Sequence, residues 1–98
     1  MSTKNQPQIL SLYATVSGRV QGVGFRYWVI QEALALGLRG WVRNLADGRV
    51  DLEAVGDEAA LKELERRLWI GPPVARVDEV TAEYKPATKS FSGFHVAY

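Results

Sequence analysis

The stretch ILSLYATVSGRVQGVGFRYWVIQEALALG, Ile9 to Gly37, decides the architecture. Ile9 to Ser17 is rich in β-branched and aromatic types, and Leu10, Leu12, Ala14 and Val16 recur at period two. That pattern predicts a strand with one apolar face. Gly18, Gly22 and Gly24 then place three glycines in seven residues, a backbone open to unusual dihedrals. From Phe25 the spacing becomes helical: Phe25, Val29, Ala33 and Leu36 make one stripe with Trp28 beside it, and Gly37 is a natural stop.

Working outward, Leu38 to Leu45 reads as a second strand, Asp47-Gly48 as a hairpin turn, and Arg49 to Val55 as a third strand. Within that third strand Val50, Leu52 and Ala54 alternate with Asp51 and Glu53, and the acids are expected on a solvated face. Asp57 is placed to cap a second helix with stripe Ala60, Leu61, Leu64 and Leu68, ended by Gly71-Pro72-Pro73. Val74 to Lys85 reads as a fourth strand and Phe94 to Tyr98 as a short last one. Trp28, Leu34, Leu61, Leu64 and Trp69 are expected in the core. The order β-α-β-β-α-β plus a fifth strand predicts an α+β, ferredoxin-like βαββαβ sandwich: an antiparallel sheet with two helices on one face.

Length and composition narrow the chemistry. Ninety-eight residues, 47% hydrophobic and 23% charged, suit one small globular domain, expected over residues 9–98 behind a flexible polar tail at 1–8. Twelve basic against eleven acidic residues give +1, which does not announce a polyanion-binding surface. Cysteine is absent and His95 is the sole histidine, expected to face solvent on an edge strand. Thiolate zinc sites, iron–sulfur clusters, a cysteine nucleophile and a two-histidine phosphatase are thereby excluded, and no cofactor or metal is expected. No apolar run approaches the ~18 residues of a membrane helix. A cytoplasmic monomer without membrane contact is expected.

Two segments carry candidate chemistry. Gly18-Arg19-Val20-Gln21-Gly22-Val23-Gly24 lies between a strand end and a helix start. Such a turn can aim several N–H groups at one point, and the helix N-terminus adds unpaired donors with positive potential. Arg26, in the first helical turn, can reach the same point with a planar fork suited to phosphate. The segment is neither a Walker A loop nor a dinucleotide fingerprint, since no Gly-Lys-Ser/Thr and no third spaced glycine follows. By pattern alone a tight strand-to-helix connection with one surface arginine fits equally well. In the second segment, Gly40 to Gly56, Asn44 stands near a strand end, where Asn is depleted. It reads as a turn former or as a fixed amide that donates and accepts at once.

Taken together, VSGRVQGVGFR at Val16–Arg26 and GWVRNLADGRVDLEAVG at Gly40–Gly56 resemble the two signature segments of the acylphosphatase family. GPPVARV at Gly71–Val77 and the terminal Tyr98 are similar to that family too, and Leu45 stands where many relatives carry Thr. The resemblance implies hydrolysis of carboxyl-phosphate anhydrides, with the N–H groups of Gly18, Arg19, Val20, Gln21, Gly22 and Val23 cradling phosphate. It implies that Arg26 binds the phosphate and that Asn44 orients the attacking water. Acyl phosphates are then the small-molecule partners, with inorganic phosphate or sulfate as inhibitors. The chemistry is independently coherent: a carboxylate of pKa roughly 4 leaves without a proton, so no general acid is needed.

Two rivals share parts of this reading. RNA-recognition modules have the same element order, and Arg39-Gly40-Trp41 resembles the start of their RNP1 motif. Val42-Arg43-Asn44-Leu45 breaks that motif, which belongs on the third strand, so no nucleic-acid partner is expected. A non-catalytic anion sensor could use the same loop, but it would have no need for Asn44.

Overall fold

The computed structural model describes residues 8–98, so the expected tail lies, apart from Gln8, outside the described residues. The elements are β1 (Ile9–Arg19), α1 (Phe25–Ala35), β2 (Arg39–Asn44), β3 (Val50–Asp57), α2 (Glu58–Ile70), β4 (Arg76–Pro86) and β5 (Phe94–Val96). They form the expected ferredoxin-like α+β fold. The sheet order is β4-β1-β3-β2-β5, with β1 lying between β4 and β3 and antiparallel to both.

One correction concerns the edge. β5 pairs parallel to β2, so the sheet is mixed rather than wholly antiparallel. β4 lies on the far edge, and residues 87–93 carry the chain across to β2 before it reverses. Arriving from that end, β5 can only run beside β2 in the same direction.

The register explains the core. Leu12 faces Ala54, Ala14 faces Leu52, and Val16 faces Val50, all fully buried. Phe25, Val29 and Ala33 of α1, and Leu61, Leu64 and Leu68 of α2, complete that layer. Fully burying one such side chain stabilises by roughly 1.5–3 kcal/mol. Leu34 and Trp69, expected in the core, are instead half exposed at 51% and 49%. Both lie off the buried helix stripes, which are Phe25, Val29 and Ala33 in α1 and Leu61, Leu64 and Leu68 in α2.

The opposite sheet face overturns the reading of its acids as solvated. Asp51 is fully buried. Its carboxylate accepts a forked pair from Arg43 Nε and Nη2, at 2.9 and 3.1 Å, and a hydrogen bond from the Tyr13 hydroxyl. Glu53 accepts from Ser11 Oγ at 2.9 Å and Trp41 Nε1 at 3.3 Å. Long neighbours on β1 and β2 lie over these carboxylates, and a buried charge persists only when partnered. The Asp51 carboxylate raises the Tyr13 hydroxyl above its ordinary value, first by accepting its proton's hydrogen bond.

Asp57 occupies the N-cap position of α2, but its side chain makes no capping hydrogen bond. The Glu58 N–H is met by the Gln8 carbonyl at 3.2 Å. No helix among the described residues is long and apolar enough to cross a membrane.

Candidate active site

β1 and β2 end at the same edge of the sheet where β3 begins, so the glycine loop, the end of β2 and the N-terminus of α1 converge there. β1 extends further than the sequence predicts. Gly18 and Arg19 still pair with Val77 and Arg76 of β4, across a register shift after Ser17. At Gly18 φ is 129°, and an added Cβ would lie 2.1 Å from the Arg76 carbonyl oxygen. Only glycine allows this close crossing.

Beyond Arg19 the chain leaves the ladder. Among the described residues, the N–H groups of Val20, Gln21, Gly22, Val23 and Gly24 have no backbone acceptor. The first N–H in the following helix to find one is that of Trp28, bonded to the Gly24 carbonyl at 3.0 Å. Gly24 is the N-cap of α1 in the left-handed region, φ 77° and ψ 20°, with no side-chain cap. The first turn of α1 carries no acid. Unmet donors and the positive helix end therefore meet at one place.

A cavity of about 230 Å³ occupies that place, lined by Val20, Gln21, Gly22, Gly24, Phe25, Arg26, Tyr27, Ile30, Asn44, Val96 and Tyr98. Of the residues singled out from sequence, Val20, Gln21, Gly22, Arg26 and Asn44 are brought together here. Gly18 and Arg19, in the β1 ladder, and Val23, packed partly against the core, are not on its wall. Tyr27, Ile30 and Val96 were not singled out. An apolar or aromatic residue beside a proposed phosphate loop looks like any other, and only the return of β5 along β2 brings Val96 here.

The two candidate side chains differ in how they are held. Ion pairs among the described residues engage Arg43, Arg49, Arg66, Arg67, Arg76 and Lys89, leaving the partly buried Arg26 without a carboxylate partner. Asn44 ends β2 opposite Val50. The adjacent Arg43, forked onto Asp51, ties that strand end to β3. The hairpin after Asn44 closes with the Leu45 N–H donating to the Arg49 carbonyl at 2.8 Å. Asn44 Oδ1 is buried without a hydrogen-bond partner. A buried amide oxygen left unmet costs about 1–3 kcal/mol unless a further group satisfies it, and Asn44 is part of the cavity wall.

No group of three or more metal-ligating side chains is found among the described residues. The larger cavity, about 350 Å³ and including Arg39, Asp57 and Lys89 in its wall, lies at the other end of the sheet and shares no residue with this one.

Residues 12–96 match the family described as Acylphosphatase. The chain is 45% identical to the acylphosphatase of Pelotomaculum thermopropionicum, across 88% of this chain and 94% of that one. Among solved structures it superposes on an acylphosphatase from Coxiella burnetii with TM-score 0.87 and 41% identity, covering 92% of this chain and 94% of the other. The acylphosphatase from Bacillus subtilis gives TM-score 0.88 at 38% identity, covering 91% and 99%.

Proposed function

The chain belongs to the acylphosphatase family and hydrolyses acyl phosphates to a carboxylate and inorganic phosphate, and from that premise we propose which residues do the work. The loop N–H groups of Val20 to Gly24, together with Arg26, hold the phosphoryl oxygens. Asn44 accepts a hydrogen bond from the attacking water through Oδ1. Water adds to phosphorus, the anhydride P–O bond breaks with its electron pair leaving on the carboxylate, and the protons of the water stay with the phosphate product or pass to solvent. Charge spread over three phosphoryl oxygens is met by donors fixed before reaction, which is where such displacements gain most. The leaving carboxylate is already a stable anion, so the loop needs no acid to protonate it.

The observation that carries this reading is the unmet, buried Oδ1 of Asn44 on the wall that also holds Arg26 and the loop. An anion sensor gains nothing from such an acceptor, because an acceptor opposite an anion repels it. Phosphate release from acetyl phosphate by the purified protein tests the activity. Turnover is expected to persist with chelator. Inorganic phosphate and sulfate should compete with substrate, because the loop recognises a tetrahedral anion, whereas single-stranded RNA should not. Acid quench during turnover should recover no phosphorylated protein, since the loop side chains Arg19, Val20, Gln21 and Val23 include no nucleophile. A stoichiometric phosphoprotein would refute direct water attack. The reading is completed by a monomer acting in the cytoplasm, a reducing compartment that a composition without cysteine suits.

A further inference from the structure

Gln21 does something the phosphate reading of its loop does not use. Its backbone belongs to the loop, but its side-chain amide turns away to the base of the β2–β3 hairpin. Nε2 donates to the Leu45 carbonyl at 2.8 Å and to the Arg49 carbonyl at 2.9 Å. Both N–H donors of one amide are thus spent on two carbonyls that face each other across the turn. Those carbonyls already accept the N–H groups that shape the turn: Gly48 donates to Leu45 and Leu45 donates to Arg49. Two acceptors on the same side also settle the orientation of the amide, with nitrogen toward the hairpin.

Asn44 directly precedes Leu45, one of the two residues gripped. The glycine loop and the hairpin have no strand pairing between them, since β1 pairs with β3 only through Val16 and Val50 on this side. The Gln21 amide bridges the two lips of the cavity 24 and 28 residues apart in the chain. We propose that Gln21 is a positioning residue for hydrolysis: its amide staples the phosphate loop to the Leu45–Arg49 hairpin and sets the distance from Asn44 to the bound phosphoryl group. The inference rests on the water-orienting role of Asn44. In-line attack tolerates little misplacement, and an error near 1 Å can cost roughly 10²-fold in rate. Anion binding tolerates more, because Arg26 and the loop N–H groups move with the loop itself.

The test is a kinetic and binding cycle with Gln21→Leu, which keeps bulk and removes both donors, alone and combined with Asn44→Ala. Turnover of acetyl phosphate is measured alongside the dissociation constant of inorganic phosphate by calorimetry. Gln21→Leu is expected to lower kcat roughly 10- to 10²-fold while phosphate affinity changes less than about threefold. Retained phosphate binding also establishes that the variant is folded. In the Asn44→Ala background the same substitution should cost almost nothing more, because the group it positions is gone. An unchanged kcat for Gln21→Leu would overturn the proposal, as would losses that multiply in the double variant. Phosphate affinity falling in step with kcat would also overturn it, showing that the staple holds only the loop. Full kcat in Asn44→Ala alone would remove the premise, and with it the proposal; that single variant separates this failure from the others.

Discussion

The two helices pack on the same face of the sheet, yet their N-termini are built oppositely. α2 begins with Asp57 in extended geometry, Glu58 in its first turn and the Glu58 N–H bonded to the Gln8 carbonyl. α1 begins at Gly24 with no capping side chain and no acid, and with Arg26 in its first turn. A cation there opposes the helix dipole by about 0.3–1 kcal/mol, and an anion there is favoured by a similar amount. Because β1 and β3 run antiparallel, the helices following them start at opposite ends of the sheet. Each end has a cavity, and the larger one is at the α2 end. Size does not select the site; what distinguishes the α1 end is its run of unmet backbone donors at an uncapped helix N-terminus, beside one unmet buried acceptor.

The contrast is broken most severely at Arg26. Arg26→Ala should weaken phosphate binding and remove most turnover, roughly 10³-fold or more, measurable as kcat/KM for acetyl phosphate. Asn44→Ala should lower kcat roughly 10²–10³-fold with phosphate affinity nearly intact. Asn44→Asp should lose affinity as well, and salt should lessen that loss by screening the added charge. If Asn44→Ala kept full kcat, the residue would be a turn former only.

Smaller changes can make α1 resemble α2. Tyr27 is 68% exposed in the first turn of α1, and Tyr27→Glu puts there what Glu58 is to α2. Helix stability should hold or rise slightly, while the phosphate dissociation constant increases several-fold at low salt, about what 1 kcal/mol implies. Unchanged affinity would show that the helix end takes no part in anion binding. On α2, Glu58→Gln should cost about 0.3–1 kcal/mol in unfolding free energy and leave kcat unchanged.

The smallest effect lies further along α2. Arg66 and then Arg67 hold the Glu63 carboxylate down at about 2. A carboxyl lowered by folding contributes stability that is present above its unfolded value near 4.5 and is lost as pH falls toward 2. These groups are largely solvated, so the contribution is small. Glu63→Gln should slightly flatten the acid limb of a Tm-against-pH curve and leave turnover alone.

Much of the site could be read from residues because its groups are local to short segments. A strand, a glycine run and a helix start within 9–37 put donors and Arg26 together whatever the rest of the chain does. Asn44 stood out as a strand-end residue with two readings, and the hairpin signal Asp47-Gly48 placed it beside a turn. The burial of Asp51 is not legible in sequence, because alternation tells only which face a residue takes. It says nothing of whether Arg43 and Tyr13, from two other strands, will cover that face. The exposure of Leu34 and Trp69 is hidden for the related reason that hydrophobicity does not say which helix stripe the sheet will accept.

By itself, then, the sequence determined the element order, the helix-bearing sheet and the candidate loop between β1 and α1, since hydrophobic period and glycine placement act over a few residues. Only the tertiary structure decided the direction of β5, the burial of Asp51, the unmet state of Asn44 Oδ1 and the reach of Gln21 to Leu45 and Arg49. Each of these is a property of pairs distant in the chain. Whether a polar atom is satisfied depends on every neighbour packing brings within about 3 Å, and that set exists only once the strands are in register.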